Sequence, residues 1–86
     1  MPEAIFSDSF AFVVKRHRET QRISKAVLAE RSGLHQTYIG LLERGKSNPT
    51  LDTANSLAEA LGVPLENLIS EAQKIHRKIG QKKSKP

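Results

Sequence analysis

Three glycines, Gly33, Gly45 and Gly62, each end a stretch in which apolar side chains return every three or four residues, so the chain is cut into short helices. Helices this short hold together only when each buries its apolar stripe against the others. The chain is therefore expected to be all-α, built around one core. Its 86 residues leave no room for a second core, and no additional catalytic domain is expected. Leu, Ala, Ile and Val dominate the apolar set, with three Phe and one Tyr, which suits packed helices better than an aromatic-rich sandwich.

Periodicity and capping residues divide the sequence into about five helices. The first runs from about Ser9, read as its N-cap, to Glu19, burying Phe10, Val13 and Val14, with Lys15, Arg16 and Arg18 emerging nearby. Ser24 caps the second, which carries Val27, Leu28 and Arg31 and stops at Gly33, where a residue without Cβ can turn left-handed. The third bears Tyr38, Ile39, Leu41 and Leu42 and ends at Gly45. After the loop KSNPT, Thr50 or Asp52 caps a fourth helix with Leu51, Ala54, Leu57, Ala58 and Leu61. Pro64 suits the first turn of a fifth, in which Leu65, Leu68, Ile69, Ala72, Ile75 and Ile79 keep helical spacing for about four turns. The expected organisation is an N-terminal segment 1–8, a domain 9–79, and a basic tail 80–86, GQKKSKP, with nothing to bury and so disordered.

The net charge of +5 is unevenly spread. Lys15, Arg16, Arg18, Arg22, Lys25 and Arg31 crowd the first half, and Lys74, Arg77, Lys78, Lys82, Lys83 and Lys85 the end. Asp52, Glu59, Glu66 and Glu71 make the stretch between them acidic. A polyanion would meet one side of such a molecule, and composition alone leaves DNA, RNA and an anionic membrane open. Absence of cysteine removes disulfides and thiolate zinc sites and suits a reducing compartment, so the cytoplasm is expected. No apolar run reaches the roughly 20 residues of a membrane span, and the first residues lack the layout of a signal peptide. His17, His35 and His76 form no metal-binding spacing, and neither a glycine-rich phosphate loop nor a nucleophile in a recognisable setting occurs. No enzyme, metal, cofactor or small-molecule ligand is expected.

Chemistry concentrates between Lys25 and Arg44. Leu28, Leu34, Ile39 and Leu42 are apolar anchors, Ala29 is small where two steeply crossed helices must touch, and Gly33 turns the chain. Anchoring both helices this way leaves the outer face of the third free to enter a DNA major groove. An ordinary helical hairpin would need fewer of these coincidences.

The stretch RETQRISKAVLAERSGLHQTYIGLLERGKSNPTLDTANSLAEALGVPLENLI, residues 18 to 69, resembles the phage-repressor or Xre/Cro helix-turn-helix family. The S-x-x-x-L-A-x-x-S-G, L-L-E-R-G-K-x-N-P-T and A-L-G-V-P blocks carry the likeness. It implies a compact five-helix, lambda-repressor-like domain that binds double-stranded DNA, usually as a dimer on an inverted repeat. Lys25 stands where such proteins commonly carry a Gln that contacts the DNA backbone.

Side chains opening the third helix reach furthest into a groove, so Gln36 and Thr37 are the expected base readers, followed by Tyr38 and Leu41. Gln can bond adenine bidentately, and Thr can touch a thymine methyl. Lys25, Arg44, Lys46 and Asn48 are expected on phosphates, and His35 either there or capping the helix. The resemblance further implies that Arg18 and Glu43 pair beneath the recognition helix. Leu65, Leu68, Ile69, Ala72 and Ile75 are the candidates for a homodimer interface, the alternative being packing within the domain. The expected function is that of a small transcription regulator, a repressor in the first instance. The alternative is an adaptor or antitoxin of the same fold that acts through a protein partner, to which the acidic stretch 51–73 is suited.

Overall fold

A computed structural model describes residues 6–84, which form five helices: α1 Phe6–Thr20, α2 Lys25–Ser32, α3 Gln36–Glu43, α4 Leu51–Leu61 and α5 Leu65–Ser84. The all-α expectation holds over this span. Phe10, Val13 and Val14 of α1 meet Leu28 of α2, Ile39 and Leu42 of α3, Leu57 and Leu61 of α4, and Leu68 and Ala72 of α5 in one core. Helices α1 and α5 share the broadest contact, while α2 and α3 pack on each other, with α2 also against α4 and α3 also against α1.

Local hydrogen bonds set the boundaries of the middle helices. The Ser24 hydroxyl accepts from Val27 N at 3.0 Å, and Thr50, not Asp52, does the same for Thr53 N at 3.0 Å. Gly33 takes φ 77° and its N–H donates to Ala29 O at 2.9 Å, which ends α2 and redirects the chain into α3 within three residues. At the end of α3, Lys46 N donates to Leu41 O and Gly45 N to Leu42 O, with Gly45 at φ 74°. That paired closure satisfies two carbonyls that the helix would otherwise leave bare. Pro64 lies just ahead of α5, where its carbonyl accepts from Asn67 N and Leu68 N.

Two boundaries differ from the sequence reading. Helix α1 begins at Phe6, so Ser9 is no N-cap: it is buried inside the helix, its hydroxyl without a partner among the described residues. Phe6 packs edge-on against His76 with ring centroids 5.6 Å apart, and this contact with α5 supports the extra turn. Helix α5 continues to Ser84, past the end near Ile79 and into the stretch expected to be structureless; Lys85 and Pro86 lie outside the described residues. The dimer candidates also need correction. Leu68 and Ala72 have no exposed surface because α1 and the core cover them, so neither can meet a second molecule. Leu65, Ile69 and Ile75 are half-buried against the same core.

Polar contacts lock the helices at their ends. Gln21 Nε2 donates to Leu61 O at 2.7 Å, tying the α1–α2 turn to the last carbonyls of α4. Between α1 and α5, Arg16 Nη2 lies 2.8 Å from Glu71 Oε1, and His17 Nε2 lies 3.0 and 3.1 Å from the two carboxylate oxygens. Burial pushes the Glu71 carboxyl upward, but the hydrogen bonds from Arg16 and His17 outweigh it and hold its pKa below the ordinary value.

Candidate nucleic-acid interface

The short α2–α3 joint and the closure at Gly45 present α3 with one side sunk and the other free. Ile39 and Leu42 are fully buried, and Ala29 is buried beside Leu28 where α2 meets α3. Gln36 and Thr37 are exposed at the opening of the helix, and their side chains form no hydrogen bond among the described residues. With Lys25, Gly40 and Arg44 they line one shallow, open depression. Three sets of residues read separately from the sequence, one from α2, one from the start of α3 and one from its end, are thus brought together. Gly40 is the member that sequence reasoning missed, because a glycine contributes no side chain to notice.

The remaining candidates are arranged less tightly. Leu41 is partly exposed on the same helix, and Tyr38 is half-buried against the core. His35 occupies the N-cap position of α3 with extended backbone, but its side chain makes no capping hydrogen bond and is exposed. Lys46 is exposed just beyond the Gly45 closure. Asn48 Oδ1 accepts from Ser7 Oγ at 2.7 Å, which fastens the α3–α4 loop to the first turn of α1. Arg44 also lines a second depression with Asp8, Ala11, Phe12, Lys15 and Gly45, so it stands where the surfaces of α1 and α3 meet.

Arg18 and Glu43 hold α3 from beneath. Arg18 Nε donates to Glu43 Oε2 at 2.7 Å and Nη2 to Oε1 at 3.1 Å, while Nη1 donates to Ile23 O at 2.9 Å. The two-pronged pairing with Glu43 keeps the Arg18 pKa above its ordinary value, against the opposing effect of burial. One guanidinium thereby fixes the end of α1, the α1–α2 turn and the end of α3 together. Among the described residues no cluster of His, Asp or Glu is placed to hold a metal ion, and no helix is long and apolar enough to cross a membrane.

Known proteins share this arrangement. A helix-turn-helix family model matches residues 14–68. Over 57 residues the chain is 44% identical to the control protein C.SmaI of Serratia marcescens, spanning 66% of this chain and 68% of that protein. It spans half or less of several other curated relatives. The crystal structure of the restriction-modification controller C.AhdI from Aeromonas hydrophila superposes with a TM-score of 0.69 at 32% identity, covering 72% of this chain and 94% of that one. A structure of the C.Esp1396I nucleoprotein complex gives a TM-score of 0.71 at 30% identity over 81% and 96% of the two chains. With the family model covering more than half of its length and the packed α2–α3 pair at its centre, the chain belongs to the Xre/Cro type of helix-turn-helix transcription regulators.

Proposed function

We propose that this regulator binds double-stranded DNA as a homodimer on an inverted-repeat operator, each copy laying the opening of α3 in a major groove. The observation that carries the reading is the depression formed by Lys25, Gln36, Thr37, Gly40 and Arg44: two polar side chains able to read base edges, flanked by two cations able to meet phosphates. Gln36 and Thr37 read bases, with Leu41 and the exposed edge of Tyr38 at the margin. Lys25, Arg44, Lys46, the Asn48 amide and His35 meet the backbone on either side. The C.Esp1396I nucleoprotein complex, a fold relative that holds nucleic acid, supports nucleic acid as the ligand.

Pairing of two copies follows from the need for specificity, since one module reads only a few base pairs and two half-sites lie about 34 Å apart. Of the candidates on α5, Leu65, Ile69 and Ile75 keep some surface for it, whereas Leu68 and Ala72 do not. Relatives named as regulators and control proteins favour DNA over a protein partner as the principal ligand, and a DNA ligand fits the cytoplasm as the compartment. The likeness to C.SmaI and C.AhdI favours the narrower role of a controller of this kind.

Selection from random duplexes, followed by gel shift at rising salt, tests the reading. A preferred site with two inverted half-sites and affinity that falls steeply with salt is expected. Failure to enrich any sequence would overturn specific readout, and a sedimentation profile that stays monomeric at tens of micromolar with operator present would overturn the dimer.

A further inference from the structure

Helix α1 turns toward solvent a face that base readout does not use. Of the Phe and Tyr rings among the described residues, only Phe12 is mainly in solvent, 53% exposed. The Arg16 guanidinium lies over it, 5.7 Å from the ring centroid, while Arg16 Nη2 stays on Glu71. Each member of this pair borders an open depression. Phe12 shares one with Lys15 and Arg44, and Arg16 shares the other with Glu71, Lys74, Ile75 and Lys78 of α5. Lys15, Lys74 and Lys78 are exposed and enter no ion pair among the described residues. Nearby carboxylates are mostly engaged: Glu43 by Arg18 and Glu71 by Arg16 and His17, which leaves Asp8 at one margin.

We propose that this face of α1 and α5 docks an acidic segment of a protein partner, which sets an apolar side chain against Phe12 and its carboxylates among Lys15, Lys74 and Lys78. An aromatic ring and an arginine with lysines around them is the composition of a protein interface, where rings and guanidinia anchor and lysines keep to the rim. Unpaired charges of one sign select an acidic partner and steer it in. A second copy is a poor occupant, because a two-fold contact sets the surface against itself and opposes lysine to lysine. A duplex has no use for the ring: its outer surface is phosphate and sugar, and its bases are stacked on one another. Of the residues lining the α3 depression, only Arg44 borders this face, so a docked partner leaves Gln36 and Thr37 free for DNA.

The probe is a displayed library of short random peptides, selected against the full chain without DNA. Enriched peptides should carry Asp and Glu around an aromatic or aliphatic residue, and their affinity should fall with salt. Phe12→Ser should lower that affinity about tenfold, and so should Lys74→Gln combined with Lys78→Gln. All three residues are exposed, so Tm should hardly change; if the Phe12 variant melts early, the lysine variant decides. Operator affinity and the sedimentation profile should be the same in Phe12→Ser as in the native chain. Failure to enrich acidic peptides overturns the proposal, as does peptide binding that survives either variant. A loss of operator affinity in Phe12→Ser also overturns it and gives the face to DNA, and an altered sedimentation profile gives it to the pairing of copies.

Discussion

Arg18 at the end of α1 and Glu43 at the end of α3 form a two-pronged ion pair, 2.7 and 3.1 Å long, in which the side chains are only 10% and 3% exposed. A third donor of the same guanidinium holds Ile23 O. A buried pair with its hydrogen bonds satisfied is costly to break from one side, because the surviving charge has no water to replace its partner.

Glu43→Gln removes the buried partner of Arg18 and leaves only the exposed Glu19 carboxylate, 3.8 Å away, to face its charge; the domain should be destabilised by on the order of 1–3 kcal/mol, and DNA binding weakened as the angle of α3 relaxes. Thermal melts of both single variants and the double variant yield the coupling energy. A coupling of zero would show the pair to be inert.

Because Arg16 and His17 hold the Glu71 carboxyl below its ordinary value of 4.5, the carboxylate stabilises the fold fully above that pH. The contribution is lost as pH falls from there through the lower, folded value. Urea melts at a series of acid pH values should show a steeper loss in the native chain than in Glu71→Gln, and parallel acid limbs would count against the α1–α5 cluster.

Arg22 is the non-glycine residue with positive φ among the described residues, at 59°. It closes α1, with Arg22 N donating to Glu19 O and Ile23 N to Arg18 O, in the position where glycine is usual. Arg22→Gly relieves the clash of Cβ with the backbone and should stabilise by about 1 kcal/mol, whereas Gly33→Ala, at φ 77°, should destabilise by at least as much. Calorimetry of the two variants checks both signs.

Base and phosphate contacts differ in the form of the damage when they are removed. Gln36→Ala should cost roughly 1–3 kcal/mol on the preferred operator and leave unrelated DNA almost unaffected. Lys46→Ala should weaken both about equally and reduce the salt slope by about one. Titrations of both variants against operator and scrambled duplex at several salt concentrations decide; an unchanged affinity ratio in Gln36→Ala would remove that residue from base readout.

What the sequence determined by itself is the part of the fold that local chemistry controls. The cap at Ser24 and the stops at Gly33, Gly45 and Gly62 depend on hydrogen bonds within a few residues, so each can be read from the residue types nearby, while the cap of α4 is narrowed to Thr50 or Asp52. The exposure of Gln36 and Thr37 at the opening of α3 follows from the same periodicity, and the Arg18–Glu43 pair from family likeness. Tertiary structure alone decided how the apolar stripe of α5 is shared out: Leu68 and Ala72 are consumed by α1 and the core, while Leu65, Ile69 and Ile75 keep some surface, a division that helical spacing does not encode. It also decided that α1 starts at Phe6, because the reason is a contact with His76 seventy residues away in sequence.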